Sequence, residues 1–263
     1  MKRTFLAASF IPLFSFAFVP AVHAEGAGKF SLETGMHYNS GTYGGTQSTD
    51  ILYVPFTGKY QGKSWTLELT VPYLQITGPG NVISVINGVG LTGASGTSST
   101  PVTRSGLGDV VASASHNVYN GGASGFFVNL TGKVKFGTAS PSKGLGTGKN
   151  DYSLQSDIYQ VTGKLTTFGT IGYRVYGRPS GYTLNNAFFG WVGGSYKFAP
   201  DTDAGMMLEL GQKVTPTTSN RTEALLFVSQ KLDRHWKAEG YVLKGLTHSV
   251  PDWGAGATLA YHF

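Results

Sequence analysis

The feature that most constrains this chain is an alternation of apolar and polar residues that recurs in segments of roughly ten residues. It is clearest at 65–73, 126–136 and 253–263, where mainly apolar residues occupy every second position. Successive side chains of a β-strand point to opposite faces, so each segment reads as a strand with one apolar and one polar face. Turn residues separate the segments, and the pattern predicts an all-β chain.

The connections between these segments alternate strictly in length along the chain. Short ones, such as 61–63, 162–164 and 232–234, follow every second strand, and longer ones lie between them. Bacterial outer-membrane barrels have short periplasmic turns and longer external loops. We therefore predict an antiparallel up-and-down transmembrane β-barrel of about twelve strands with both termini in the periplasm. The predicted strands are 29–38, 49–60, 64–75, 106–118, 125–136, 151–161, 165–176, 185–198, 203–214, 221–231, 235–246 and 252–263.

The first residues read as an export signal rather than as part of the fold. Lys2 and Arg3 precede an apolar run over 5–19, and small residues lead up to a cleavage point after Ala24. A charged start, a short apolar core and a small-residue end are typical of a cleaved secretory signal peptide. We predict that 1–24 is removed and that 25–263 forms a barrel in the cell outer membrane.

Composition separates a membrane barrel from a soluble β-sandwich, whose strands also alternate. Charged residues make up 13% of the chain, about half of the usual share, and aromatic residues make up another 13%. A sandwich would carry its charges on the outer face, whereas here Gly, Thr and the few charges share the polar face.

Lys and Arg form no basic cluster, so no nucleic-acid partner is expected. The chain has no cysteine and no His/Asp group with metal-ligand spacing, so no cofactor is expected.

The polar face of the strands predicts which charges line the barrel interior. They are Lys59, Lys133, Lys135, Arg174, Lys197, Lys213 and Lys237, with Glu33, Glu68, Asp109, Asp157, Glu209, Glu223 and Glu239. This balance argues against a strong preference for cations or anions. If the turn at 119–124 pairs Val118 with Gly125, Asp109 faces position 134 and lies between Lys133 and Lys135. Two interpretations stay open for this group, a constriction that contacts solute or an ion pair that fixes the register. The candidate lumen and constriction residues are Asp109, Lys133, Lys135, Asp157 and Arg174.

Two stretches also resemble a known family. Gly106-Leu107-Gly108-Asp109 resembles a G-x-G-D element, and 134–138 followed by 144–151 resembles a K-x-P-T-G … G-L-G-T-G-K-x-D element. Both are motifs of the outer-membrane family named for the MetA pathway of phenol degradation. Gly137 stands where that pattern has Pro. The resemblance implies a barrel that passes small hydrophobic or aromatic compounds.

The predicted function is therefore an outer-membrane channel or transporter for small solutes, hydrophobic or aromatic ones by the resemblance. The alternatives are a closed structural or adhesive barrel without conductance, and an outer-membrane lipid-modifying enzyme. Catalysis has little support, because no His stands in a motif with a Ser and a third orienting group. We therefore expect that the chain is not an enzyme.

Two further segments have predicted roles. Phe263 ends the last alternating strand and is predicted to be the assembly signal that the outer-membrane insertion machinery recognises. The predicted partners of the chain are therefore this machinery and membrane lipid. The long connection 76–105 contains an apolar run at 82–86. Because exposed apolar side chains would form a patch, this segment is predicted to pack inward or at the barrel mouth.

Overall fold

The computed structural model describes residues 28–79, 82–85, 89–92, 100–180, 183–216 and 218–263. These residues form β-strands joined by turns, loops and two single-turn 3-10 helices. Within those ranges no helix has the length and apolarity needed to cross a membrane. The predicted signal peptide, 1–24, lies outside the described residues and stays a prediction.

The strands have the following bounds: β1 Lys29–Gly41, β2 Thr49–Gln61, β3 Trp65–Gly78, β4 Val82–Val85, β5 Val89–Thr92, β6 Val102–Leu107, β7 Val111–Asn120, β8 Phe126–Lys135, β9 Asp151–Thr162, β10 Leu165–Val175, β11 Ala187–Ala199, β12 Thr202–Gly211, β13 Arg221–Lys231, β14 Trp236–Gly245 and β15 Trp253–His262. Strands β4 and β5 form a separate hairpin inside the long connection that follows β3. All the others belong to one sheet.

That sheet closes into a barrel. Neighbouring strands pair antiparallel, and β1 pairs with β15 over Ser31↔His262 to Ser40↔Trp253. Strands β6 and β7 both pair with β3 and share one position in the wall, interrupted at 108–110. The thirteen strands of the sheet therefore fill twelve positions. This confirms the predicted antiparallel barrel of twelve strands.

The predicted register between β7 and β8 is wrong. Val111 pairs with Lys135 and Tyr119 pairs with Val128, with an irregularity between Asn117 and Tyr119. The difference arises at the turn, because β7 continues to Asn120, which pairs with Phe127. The irregularity at Asn117, whose Nδ2 donates to the carbonyls of Tyr119 (3.2 Å) and Val128 (3.3 Å), changes the register by one position only. A 3-10 turn at Gly122–Ser124 then links the two strands. Position 134 consequently pairs with Ala112, and Asp109 lies before the start of β7, in the break after β6.

Burial alternates along the wall strands as a barrel requires. In β1, Leu32 and Met36 are 57% and 59% exposed, whereas His37 and Asn39 are fully buried. The register carries this inward face around the barrel, since His37 pairs with Tyr53 in β2 and with Gly256 in β15. The outward positions carry large apolar side chains, among them Phe30, Leu32, Phe56, Leu69, Leu154, Ile171, Val192, Met206, Leu226 and Val242. An apolar outer face is what contact with lipid demands.

The two ends of the barrel differ in their connections. At one end the turns are short, and in the turn before β14 the amides of His235 and Trp236 donate to Asp233 Oδ1 at 2.7 and 2.8 Å. These two bonds lower the pKa of the Asp233 carboxyl and stabilise the tight turn. The longer loops lie at the opposite end, and both the start of β1 and the end of β15 are at the short-turn end.

This arrangement predicts the accessibility of inserted epitope tags. The loop 136–150 is exposed at 141–143 but buried at 144–147, so a tag belongs after Ser142 rather than deeper in the loop. We expect a tag there to be labelled on intact cells and a tag after Gly122 to be labelled only after permeabilisation. Antibody binding to whole cells measures this, and labelling in the reverse order would invert the topology.

The last residue closes the seam between β15 and β1. The Phe263 amide donates to the Phe30 carbonyl at 3.0 Å, and its ring stands edge-on to Tyr261 at 4.9 Å while remaining 70% exposed. We expect deletion of Phe263 to reduce the amount of assembled barrel several-fold while export continues. Immunoblots of outer-membrane fractions measure the effect. Phe198→Ala, which removes another exposed aromatic side chain near the short-turn end, is the matched control, and equal yields from both variants would refute the role of Phe263.

Candidate functional site

The interior of the barrel contains a continuous group of buried aromatic and aliphatic side chains, which we call the aromatic belt. Its members are Phe127, Tyr159, Phe168, Trp191, Met207, Leu225, Phe227, Tyr241 and Leu243, with Tyr53, Val161 and Phe189 packed against them. They come from β8 to β14 and from β2. All of them occupy inward positions of the register, so the belt winds around the inside of the wall.

Glycines on neighbouring strands make room for the rings of the belt. A Cβ on Gly193 would lie 2.6 Å from Phe168 Cζ, and a Cβ on Gly205 would overlap Phe227 Cζ. Gly256 stands in the same relation to Tyr241, at 2.5 Å from Cε1. An aromatic ring that covers an inward glycine lies flat against the wall. This explains part of the high glycine content of the strands.

A buried ion-pair group lies near the long-loop end, and we call it the Lys135 cluster. Lys135 Nζ lies 2.7 Å from Asp109 Oδ2 and 3.1 Å from Asp151 Oδ2. It also donates to Thr147 Oγ1 at 3.4 Å. The side chains of Lys135 and Asp151 are each 1% exposed, and that of Asp109 is 9% exposed. One cation thus neutralises two carboxylates in a place that water hardly reaches.

The Lys135 cluster ties three segments of the chain together. Asp109 Oδ1 accepts the amide of Ala139 at 2.8 Å, and Asp151 Oδ1 accepts the amide of Gly177 at 2.8 Å. The break between β6 and β7, the loop 136–150 and the loop after β10 therefore share one charge network. A Cβ on Gly146 would lie 2.9 Å from Asp109 Oδ2, so glycine is needed where the loop meets the carboxylate.

The glycine-rich stretch 144–148 follows from this closure. Gly144 and Gly148 have φ values of 66° and 65°, in the left-handed region that favours glycine. They turn the loop back toward the barrel and bring Leu145 inside. The motif that carries the family resemblance therefore has a structural explanation in this chain, as the segment that folds over the Lys135 cluster.

Two of the long loops cover the interior, and we call loops 42–48 and 136–150 the cap. Side chains of the cap pack on inward residues of β2 and β3 in one buried cluster: Tyr43, Ala139 and Leu145 on Ile51, Leu74 and Ile76. Burial raises the pKa of the Tyr43 hydroxyl, and the nearby Glu223 carboxylate raises it further. In the segment 76–105, positions 80–81, 86–88 and 93–99 lie outside the described residues. Its packing inward or at the barrel mouth stays a prediction.

Other interior charges also form ion pairs. Arg221 lies 3.1 Å from Glu223 and 3.6 Å from Glu209, which face each other across β12 and β13. Lys237 Nζ lies 2.6 Å from Glu239 Oε2, and Lys59 Nζ lies 3.2 Å from Glu68 Oε1. These pairs rigidify the wall from inside, where charge is cheaper to keep than on the lipid face.

The structure divides the five predicted lumen residues into two groups. Asp109 pairs with Lys135, whereas Lys133, whose register partners are Ser113 and Ser153, interacts electrostatically with Asp157 and Arg174. Asp157 accepts hydrogen bonds from Thr131, Gln155 and Thr170 at 2.5–3.0 Å. Arg174 lies over the ring of Phe189, with 4.9 Å from Cζ to the ring centroid. A constriction role for these residues stays a prediction.

Sequence reasoning missed the aromatic belt, Asp151 and the cap. The signal for the belt was present, because Phe127 stands on the otherwise polar face of 126–136. Asp151 contacts Lys135 as its register partner in β9. The loop that brings Thr147 to the same lysine has no periodic sequence pattern, so this contact could not be predicted.

Comparisons with known proteins agree with this architecture. No protein-family model matches the chain, and no curated protein matches its sequence. The crystal structure of an outer-membrane channel from Pseudomonas putida F1 has a TM-score of 0.70 and 13% identity, covering 91% of this chain and 97% of that one. The KdgM porin (TM-score 0.52, 15% identity, 89% and 99% covered) and the NanC porin (0.53, 12%, 88% and 98%) are also similar. At these identities the likeness shows the fold, which is that of outer-membrane channel and porin barrels. The predicted MetA-pathway family stays a prediction.

Proposed function

We propose that this chain is an outer-membrane channel for small apolar or aromatic solutes. The observation that carries the proposal is the aromatic belt, a continuous group of inward-facing side chains, most of them aromatic, inside a closed barrel. Ring faces offer dispersion contacts and stacking to an aromatic solute. The family resemblance and the channel and porin barrels of the same fold support the same function.

Passage requires the cap to move. Leu145, Tyr43 and Ile76 are almost fully buried, so the long-loop end of this part of the interior is packed shut. The Lys135 cluster holds loop 136–150 in that position through Asp109 and Thr147. We infer that the structure represents a closed state and that displacement of the cap exposes the belt.

Location follows from the outer face and the termini. An apolar exterior suits membrane lipid, the predicted signal peptide 1–24 would direct export, and Phe263 would direct insertion. The proposed location is the outer membrane, with the short turns in the periplasm. We propose no catalytic activity, and lipid hydrolysis by the purified barrel would refute that statement.

Matched tryptophan variants test the role of the belt. Trp191 is buried in the belt, whereas Trp253 points outward and is 49% exposed. In planar bilayers, benzyl alcohol should reduce the current through the wild type in a saturable way. Trp191→Ser should weaken that block several-fold, and Trp253→Ser should leave it unchanged. Equal block in both variants would mean that the belt does not contact the solute.

A closed structural barrel is the second candidate, and the buried ion pairs favour it. Glu209, Glu223 and Arg221 are all under 9% exposed, as a dry interior requires. This candidate expects no current under any condition.

A further inference from the structure

Two inward side chains beside the aromatic belt have polar atoms without partners. His37 is fully buried, and its Nδ1 lies 3.0 Å from Tyr241 Oη while its Nε2 has no hydrogen-bond partner. Asn39 is also fully buried, and neither its Oδ1 nor its Nδ2 has a partner. They are two residues apart on β1 and share the inward face. We call these two side chains the β1 notch.

The neighbouring strand shapes the β1 notch. His37 pairs with Gly256 and Asn39 pairs with Gly254, so β15 places no side chain beside either residue. A Cβ on Gly256 would lie 2.6 Å from His37 Nδ1, and a Cβ on Gly254 would overlap Asn39 Oδ1. The side chains of His37 and Asn39 therefore pack over β15 only because these two positions are glycine.

The side chains that contact the β1 notch are mainly aromatic, and none of those named here is charged. The His37 ring stacks on Tyr241 at 5.6 Å and lies 5.9 Å from the Tyr53 ring, and both tyrosines belong to the belt. Asn39 pairs with Ile51 on the other side. A polar group buried without a partner is costly, and a ligand that supplies the missing bonds recovers that cost.

The hydrogen-bonding chemistry of the unpartnered atoms restricts the classes of ligand that could bind. Asn39 presents a donor and an acceptor on one planar group, which a carboxamide complements with an acceptor and a donor of its own. A charged solute would lose its hydration there without gaining an ion pair. An aromatic ring attached to the carboxamide would reach the rings of Tyr53 and Tyr241.

We propose that the β1 notch is a binding site for a neutral aromatic carboxamide, in which Asn39 pairs with the amide and His37 Nε2 supplies a further hydrogen bond. The proposal rests on the proposed function, since the solute would arrive along the belt. The notch lies next to the connections that follow β1 and precede β15, where a Cβ on Gly44 would lie 3.7 Å from the His248 carbonyl oxygen. The ligand therefore binds after those connections move.

Calorimetric titration of the folded barrel in detergent with benzamide tests the site without requiring conduction. The wild type should bind benzamide saturably, and Asn39→Leu should weaken binding at least about tenfold, the value of one well-formed hydrogen-bond pair. His37→Phe, which keeps a ring over Gly256, is the second variant and should weaken binding as well. Binding of toluene should be equal in all three proteins.

The controls separate the possible failures. Asn39→Leu removes unpartnered atoms, so its unfolding temperature should not fall, whereas Asn129→Leu breaks a bond from Asn117 Nδ2 (2.8 Å) and should leave benzamide binding intact. Equal benzamide affinity in the wild type and in Asn39→Leu, or no benzamide binding at all, would refute the proposed binding site without affecting the proposed channel function. Absence of current with normal, Asn39-dependent benzamide binding would overturn the channel and keep the site.

Discussion

Replacement of Lys135 with Met is expected to lower the free energy of unfolding by about 3–5 kcal/mol, the range for removing one partner of a buried ion pair. Lys135 is the cation shared by Asp109 and Asp151, and its side chain is 1% exposed. Met fills a similar volume, so the loss would come from two buried carboxylates left without a counter-charge. The measurement is the urea midpoint in lipid vesicles, supported by the temperature at which the folded band disappears on a gel.

Lys197→Met is the matched control for Lys135. Lys197 Nζ lies 3.1 Å from Asp203 Oδ2, but the two side chains are 33% and 21% exposed. An accessible pair of this kind contributes about 0–1 kcal/mol, so this variant should unfold almost like the wild type. Lys135→Met should also expose loop 136–150 to proteases, because its bond to Thr147 is lost. Equal small effects of both substitutions would show that the Lys135 cluster is solvated and does not hold the cap.

Gly205→Ala is expected to destabilise the barrel by about 1–3 kcal/mol through overpacking. The added Cβ would overlap both the Phe227 ring and the Gly194 carbonyl oxygen. Both the ring and the Gly194 backbone must shift. Because the displaced ring no longer lies against the wall, aromatic solutes should also block current more weakly. Denaturant midpoints and block by benzyl alcohol measure the two effects.

Gly169→Ala serves as the control for that substitution. Its Cβ would meet nothing closer than the Trp191 carbonyl at 3.6 Å, which is an ordinary contact. In a strand, alanine there should be neutral or slightly stabilising, because it lowers the entropy of the unfolded chain. If Gly205→Ala were as harmless as Gly169→Ala, the rings would not lie against the wall as described.

The barrel itself was predictable from the sequence, because period-two alternation and strict short/long connections are local signals that survive without tertiary information. The register at one hairpin was not. The alternation of apolar and polar residues does not show that β7 continues to Asn120, so the turn was placed too early in the chain. Asn117 adds a one-position irregularity by bonding ladder carbonyls with its side chain, and alternation does not predict that either. Asp109 and Lys135 were predicted to be neighbours through a register that is wrong, and they meet because Asp109 lies in the break between β6 and β7.

The candidate site was harder to predict than the wall. The charge pattern gave Lys135 but not its second carboxylate, Asp151, or the hydroxyl of Thr147. These contacts depend on how a loop folds inward, which is decided by the positive φ of Gly144 and Gly148. The notch at His37 and Asn39 depends on glycines that are more than 200 residues away in sequence and adjacent only through barrel closure.

The most direct test of the channel is current through the purified protein in a planar bilayer, with and without a small aromatic compound. The account predicts discrete conductance steps for the wild type, a saturable reduction of those steps by benzyl alcohol, and longer open times for Lys135→Met because its cap is released. Absence of steps in both the wild type and Lys135→Met, with both proteins shown to be folded, would contradict the channel and establish a closed structural barrel.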